Sequence, residues 1–230
     1  MKVLSIDTTS MLGAFALTDG EEVIACVQQT SPKTHSEGLF DVFNGLFRKA
    51  GWTKNKLQGL AVAVGPGSFT GLRIGLAAAK GMALALEIPI AGISSLKSLA
   101  LNGVGNFKTV VSLVDARRGE LYAFAASVAF KNSIETVLPE CVLQPQTLIE
   151  KLREIGGPFF VVGDGALAYR NELEKSGLDI EIPDGEKVLP IAQNLASLAL
   201  PVLKTGGLEL SVLSPNYVRR SDAEIGFLGR

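Results

Sequence analysis

The chain has 230 residues, enough for one large domain or two small lobes with a substantial core. Its 22 Lys and Arg against 23 Asp and Glu leave a formal net charge of −1, which excludes an overall basic field and tight nucleic-acid binding by this chain alone. The apolar fraction of 47% is high, yet no uninterrupted apolar run reaches the roughly 18 residues of a membrane span. The surplus apolar surface therefore belongs in a large core or against another protein.

In chain order, residues 2–7 form a first strand that enters the core, and residues 13–18 a second. Asp19-Gly20 is a hairpin signal, and residues 22–28 make a third strand, so the chain opens with an antiparallel meander. A helix follows at 34–50, with Thr34 and Glu37 at capping-box spacing and Gly51 as its C-cap. Its apolar residues Leu39, Phe40, Val42, Phe43, Leu46, Phe47 and Ala50 cover an arc of roughly 160°, wider than one neighbouring surface needs. Residues 60–64 form a fourth strand, 70–86 a second helix and 88–93 a fifth strand, with Pro89 near its start.

After a link at 102–106, residues 110–115 and 119–126 form a hairpin around Ala116-Arg117-Arg118. Residues 145–155 are helical, 158–163 a buried strand, Gly163-Asp164-Gly165 a turn and 167–176 helical. Pro190 suits the first turn of a last helix at 191–204. No repeat of 20–50 residues and no low-complexity segment is visible. The expected frame is α/β: a mixed sheet with helices on its faces. An N-terminal lobe spans 1–102 and is completed by a helix at 190–205, a smaller lobe spans 107–189, and 211–230 is an irregular tail with a mobile end.

Several chemistries are excluded by what the chain contains. It reaches an acid at Asp7, too early for a signal peptide, and Cys26 with Cys141 cannot build a disulfide framework; both point to the cytoplasm. The one histidine, His35, cannot supply a zinc or iron site that needs two or three. A serine triad could pass only through His35, and no Gly-x-Ser-x-Gly elbow accompanies it. His35 reads as a residue capping or flanking the first helix.

The most informative string is Gly65-Pro66-Gly67-Ser68-Phe69-Thr70-Gly71-Leu72-Arg73-Ile74-Gly75, between a strand and a helix. It looks like a phosphate loop, but Leu72 stands where a mononucleotide loop carries lysine. Backbone amides at a helix start could still meet an anion. Asp7 at the end of the first strand, with Thr8 and Thr9, could hold hydrated magnesium and phosphate; the plainer reading is a turn carboxylate capping nearby amides. The second helix is unusually rich in small residues, including Gly71, Gly75, Ala77, Ala79, Gly81 and Ala83. Interior glycines cost about 1 kcal/mol each relative to alanine, so a close approach should offset them. That approach is either to the chain's own sheet or to a helix of another subunit. Asp115, Arg117, Arg118 and Glu120 form either a solvated hairpin cluster or a docking patch, and Arg219 with Arg220 could reach phosphates.

Ile6-Asp7-Thr8-Thr9, Thr34-His35-Ser36, the glycine string, Asp115-Ala116-Arg117-Arg118-Gly119-Glu120-Leu121-Tyr122 and Pro215-Asn216-Tyr217-Val218-Arg219 together closely resemble the bacterial TsaB family, over essentially the whole length. That family is a subunit of the machinery that makes threonylcarbamoyladenosine in tRNA. The resemblance implies an actin-like, sugar-kinase-like (ASKHA) fold of two related lobes. It implies a homologous TsaD partner that carries the metal and the transferase site, a TsaE ATPase, a threonylcarbamoyl-adenylate synthase upstream, and tRNA reached through the complex. It implies no cofactor on this chain alone, with ATP and a metal ion in the partner subunits. TsaD-like proteins place two histidines of one helix on a metal, which His35 alone cannot match, so the expected role is that of a non-catalytic scaffold, a pseudoenzyme subunit with no membrane attachment. The resemblance sets the heterodimer interface on the first two helices, at Leu39, Phe43, Leu46, Phe47, Gly71, Leu72, Gly75, Leu76, Ala79 and Met82. Gly75→Leu is then expected to weaken the heterodimer and leave the monomer folded. The same helices could pair two copies when the partner is absent. The rival from another class is a small ATP-dependent kinase or ATPase.

Overall fold

The computed structural model describes residues 1–10, 12–30, 37–105, 108–130, 133–188 and 191–218. Thr34, His35, Pro190, Arg219 and Arg220 lie outside these, and with them the capping box and the arginines of the tail.

The first three strands, β1 (Lys2–Asp7), β2 (Leu12–Asp19) and β3 (Glu22–Thr30), form the expected meander, turned at Gly20, which adopts a left-handed φ of 61°. After α1 (Glu37–Ala50), β4 (Gly59–Gly65) returns to pair in parallel with β1, matching Leu4 to Leu60. Then α2 (Phe69–Leu86) crosses to β5 (Ile90–Ser94), which pairs in parallel with β4. The resulting sheet has the order β3-β2-β1-β4-β5.

The second sheet is built on the same plan. Strands β6 (Thr109–Arg117), β7 (Glu120–Phe130) and β8 (Ser133–Leu143) form an antiparallel meander, and β9 (Phe159–Val162) and β10 (Ile180–Glu181) add in parallel beyond β6. Read from β8, its order repeats that of the first sheet, strand for strand. Helix α4 (Pro145–Ile155) takes the place of α1, and the short helices α5 (Asp164–Ala168) and α6 (Arg170–Glu174) take that of α2. The chain thus has two related lobes of mixed sheet and flanking helices.

Alternation within β1 feeds two cores. Leu4 and Ile6 join Phe15, Phe43, Leu46, Leu60, Val62 and Leu76 beneath α1 and α2. On the other face Val3 joins the small residues Ala61, Ala63 and Ala91, which let α7 (Ala192–Lys204) lie close through Leu195, Ala196, Ala199 and Leu203. Helix α3 (Ser95–Ala100) follows the first sheet in sequence but packs on the second, Leu96 and Leu99 meeting Val110, Phe124 and Phe160. A buried amide ties it to α7: Asn194 Nδ2 donates to Ser98 O at 3.1 Å and to Asn102 Oδ1 at 2.8 Å.

Two elements go beyond the sequence reading, and three expectations are corrected. Residues 133–143 are a strand and 95–100 a helix, neither of which the sequence pattern marks. Gly163-Asp164-Gly165 opens a helix rather than a turn, and the helix expected at 167–176 breaks at Tyr169 into two. Pro89 precedes its strand. The tail to residue 218 is irregular but fastened: Leu208 N donates to Ile90 O at 2.8 Å, Asn216 N to Val64 O at 2.6 Å, and Leu213 between them is buried.

Candidate functional site

The glycine string packs against the end of β1, and the chain's own backbone fills the space its glycines leave. Ser68 caps α2, its Oγ accepting from Gly71 N at 3.3 Å. Ser68 N donates to Thr9 O at 2.6 Å, and Leu72 N to Ser68 O at 2.8 Å. Thr8 Oγ1 donates to Gly71 O at 2.7 Å, and Ser95 Oγ to Pro66 O. A Cβ on Gly67 would strike Thr9 O, one on Gly71 would strike Thr8 O, and one on Gly75 would strike Thr8 Oγ1, each at less than 3.0 Å. In a phosphate loop that open side belongs to the ligand.

Asp7 completes the closure. It is buried, and its Oδ1 accepts from Thr9 N at 2.9 Å and Thr9 Oγ1 at 2.7 Å. Burial pushes its carboxyl above the ordinary aspartate range, although both Thr9 hydrogen bonds pull the other way. The loop beside it carries no lysine, and its Ser68, Gly71 and Leu72 amides are engaged by the chain itself. Asp7 caps the turn at Thr9, and Thr8 closes on the carbonyl of Gly71.

The expected interface residues are mostly internal. Leu39, Phe43, Leu46, Phe47, Leu72, Leu76 and Ala79 are buried in the chain's own structure, and Gly75 faces Thr8. Gly71 and Met82 are half-buried. The wide apolar arc of α1 is explained by the chain's own sheet, with one exception: Phe40 is 52% exposed and meets Phe43 edge to face. The bare surface lies one row further round α2. Phe69, Arg73, Ala77, Gly81 and Ala85 succeed one another at intervals of four and are all exposed, with Leu84 beside them at 70%. This helix has the length and composition of a membrane span, yet only 28% of it is buried and Arg73 and Lys80 interrupt it. Nothing lies within 4 Å of a Cβ placed on Gly81, so the fold of this chain does not require glycine there.

In the second lobe, Arg117 and Arg118 take left-handed φ values of 64° and 55° ahead of Gly119, an uncommon conformation for side-chain-bearing residues. Arg117 pairs with Asp115 at 3.3 Å, and Asp115 N donates to Asp164 Oδ1 at 3.1 Å. Burial, then the neighbouring Asp115 charge, raises the Asp164 carboxyl against those hydrogen bonds. Among the described residues no group of three or more His, Cys, Asp or Glu is placed to hold a metal. Phe69 and Leu84 were not among the interface residues expected from the sequence, and Gly81 was noted there only as one of the helix's small residues. The signal for Phe69 and Gly81 is the interval of four, which shows only once the neighbouring row is known to be internal.

A family model described as TsaD, tRNA N6-adenosine threonylcarbamoyltransferase, matches residues 26–227. The tRNA threonylcarbamoyladenosine biosynthesis protein TsaB of Escherichia coli is 31% identical, over 97% of this chain and 96% of that protein. The chain belongs to the TsaB family. The TsaB protein of Bacillus subtilis is equally similar, at 31% identity over the same shares. A Pseudomonas aeruginosa structure, described as similar to the peptidase YeaZ, superposes with a TM-score of 0.77 at 26% identity, covering 95% of this chain and 99% of that one. An ADPNP-bound activator of 2-hydroxyisocaproyl-CoA dehydratase from Clostridium difficile superposes with a TM-score of 0.56 at 11% identity, over 90% and 96% of the two chains. That likeness shows the shared actin-like fold.

Proposed function

We propose that this TsaB-family chain serves tRNA threonylcarbamoyladenosine biosynthesis as a non-catalytic, activating subunit. It docks on a TsaD-like, metal-bearing partner through the bare row of α2 and the exposed Phe40 of α1. The observation that carries this reading is α2 itself: an apolar helix of 18 residues of which only 28% is buried, with a glycine at 81 that its own fold does not need. The partner supplies the groups that transfer threonylcarbamoyl to the N6 amine of adenosine, and it holds the metal and the nucleotide. This chain keeps the partner in a competent arrangement. A TsaE-like ATPase and the tRNA meet the assembled pair in the cytoplasm, and the synthase delivers the activated threonylcarbamoyl group. Without its partner the same row pairs two copies of this chain.

The test is reconstitution by omission. The synthase, the TsaD-type subunit, the TsaE-type ATPase, tRNA, threonine, bicarbonate and ATP are combined with and without this chain, and the modified nucleoside is measured by mass spectrometry. Product only when the chain is present, and none when the TsaD-type subunit is left out, supports the reading. Equal product without the chain refutes it.

A further inference from the structure

The tail string Pro215-Asn216-Tyr217-Val218 builds a surface feature with the start of α2. Asn216 is fixed at the seam of the two lobes: its amide N donates to Val64 O at 2.6 Å, and its Nδ2 to Glu140 Oε2 on β8 at 3.1 Å. Ser94 Oγ, at the end of β5, donates to the other oxygen of the same carboxylate. The clasp sets the next residue. The ring of Tyr217 lies 5.2 Å from that of Phe69, and its hydroxyl accepts from Arg73 Nε at 3.2 Å. The Arg73 guanidinium in turn stacks on Phe69, 3.8 Å from the ring centroid. Three side chains, two of them 144 positions apart, are thus locked into one cluster at the surface.

A latch that only sealed the tail would bury its aromatic rings. Here Phe69 remains 42% and Tyr217 45% exposed. Stacking on one face and a hydrogen bond at Nε orient the guanidinium, and among the described residues Arg73 makes no ion pair, so its terminal nitrogens are left to a partner. The cluster continues the docking row, since Phe69 and Arg73 are its first two members. Charge fixes what it would take. Between Phe69 and Leu86 the only charged residues are Arg73 and Lys80, with no carboxylate, and the cluster sits at the positive end of the helix. Ordered aromatic and arginine side chains are also the types that carry most binding energy at interfaces.

We propose that Phe69, Arg73 and Tyr217 form an anchor that receives an acidic side chain of the partner subunit, with the tail clasp at Asn216 and Glu140 holding the anchor in shape. This rests on the docking reading above. The affinity of the full chain for the TsaD-type subunit, measured by calorimetry at low and high salt, tests it, with the melting temperature of each variant recorded alone. Arg73→Glu is expected to weaken binding at least tenfold and to remove most of its salt dependence, with melting unchanged. Tyr217→Ala, which frees the guanidinium, is expected to weaken it several-fold, and Leu84→Glu, outside the anchor, reports on the row itself. If Arg73→Glu stays within twofold of the unaltered chain while Leu84→Glu weakens binding, the row docks but the anchor is refuted. A loss with Tyr217→Ala alone, Arg73→Glu remaining within twofold, makes the tail a fold latch and also overturns the anchor. If all three stay within twofold, the docking reading itself falls.

Discussion

Gly75→Ala tests the closure of the glycine loop with a single methyl group. A Cβ at this position would sit against Thr8 Oγ1 at less than 3.0 Å, with Thr8 Cβ behind it at 3.5 Å. Thr8 can turn its hydroxyl away only by giving up the 2.7 Å hydrogen bond to Gly71 O. That loss costs about 1 kcal/mol. Overpacking adds about 1–3 kcal/mol, and the better helix propensity of alanine returns about 1 kcal/mol. The net loss is about 1–3 kcal/mol, and at about 2–4 °C per kcal/mol for a chain of this size the melting temperature falls by about 5 °C. This replaces the expectation that bulk at Gly75 spares the monomer.

The partner change makes the reasoning refutable. Thr8→Ala alone costs about 1 kcal/mol, the lost hydrogen bond. On that background Gly75→Ala meets the Cβ of residue 8 and Ile6 Cγ2, both at ordinary contact distance, and gains its helix propensity of about 1 kcal/mol. The double variant should therefore be about 2–4 kcal/mol more stable than the sum of the two single changes, far beyond the ~0.5 kcal/mol within which independent sites add. Gly71→Ala is the control. Its Cβ would strike the Thr8 carbonyl, which Thr8→Ala leaves in place, so no rescue is expected there. Thermal melts followed by circular dichroism measure all of these. Additivity between positions 8 and 75 would mean that Gly75 answers to something other than Thr8, and the closed-loop argument would fail.

Two further outcomes are expected. Burial raises the Asp7 carboxyl, so folding favours its protonated form: at neutral pH the ionised group subtracts from stability, and this penalty fades as pH falls through the raised value and vanishes below the unfolded value, near pH 4. Asp7→Asn keeps an acceptor for Thr9 and drops the charge, so it should melt higher than the unaltered chain at pH 7, with the gap closing below about pH 4; a gap that widens on acidification contradicts the assignment. Gly81→Leu should leave the isolated chain as stable or up to about 1 kcal/mol more stable, because the position is open and leucine is the better helix former. The same variant should weaken binding of the TsaD-type subunit at least tenfold in calorimetry, and unchanged affinity would place the partner on another face.

The elements with strong local punctuation were legible. Helix α4 runs from Pro145 to Ile155 as expected, because Pro145 suits a first turn and Gly156 takes the left-handed φ of 80° that ends it. Strand β8 was not legible: none of it is fully buried, it holds Pro139, and it lies at the sheet edge, so no apolar alternation marks it. Helix α3 has six residues, too few to show a period. The site was half legible. An apolar stripe says that a face is covered but not by whom. Leu39, Phe43, Leu46 and Phe47 are covered by their own sheet, whereas Phe40 on the same helix is not. Gly75 and Gly81 look alike in sequence, yet Thr8 requires the one and nothing in the chain requires the other.

The duplicated frame sharpens what this chain has done with its fold. Asp7 ends β1 and Asp115 lies near the end of β6, the equivalent strand; the glycine string follows β4, and Gly163-Asp164-Gly165 follows β9. In each lobe these paired strand ends satisfy one another. Thr9 holds Asp7 and Thr8 fills the glycine loop in the first. The Asp115 amide holds Asp164 while Arg117 pairs with Asp115 in the second. Groups that bind each other at short range are poor receivers for a ligand, because any ligand must first replace those contacts. The surfaces left unsatisfied are elsewhere: the row from Phe69 to Ala85 and the aromatic cluster at its head. The docking proposed above therefore puts the binding surface on a helix face rather than between the lobes.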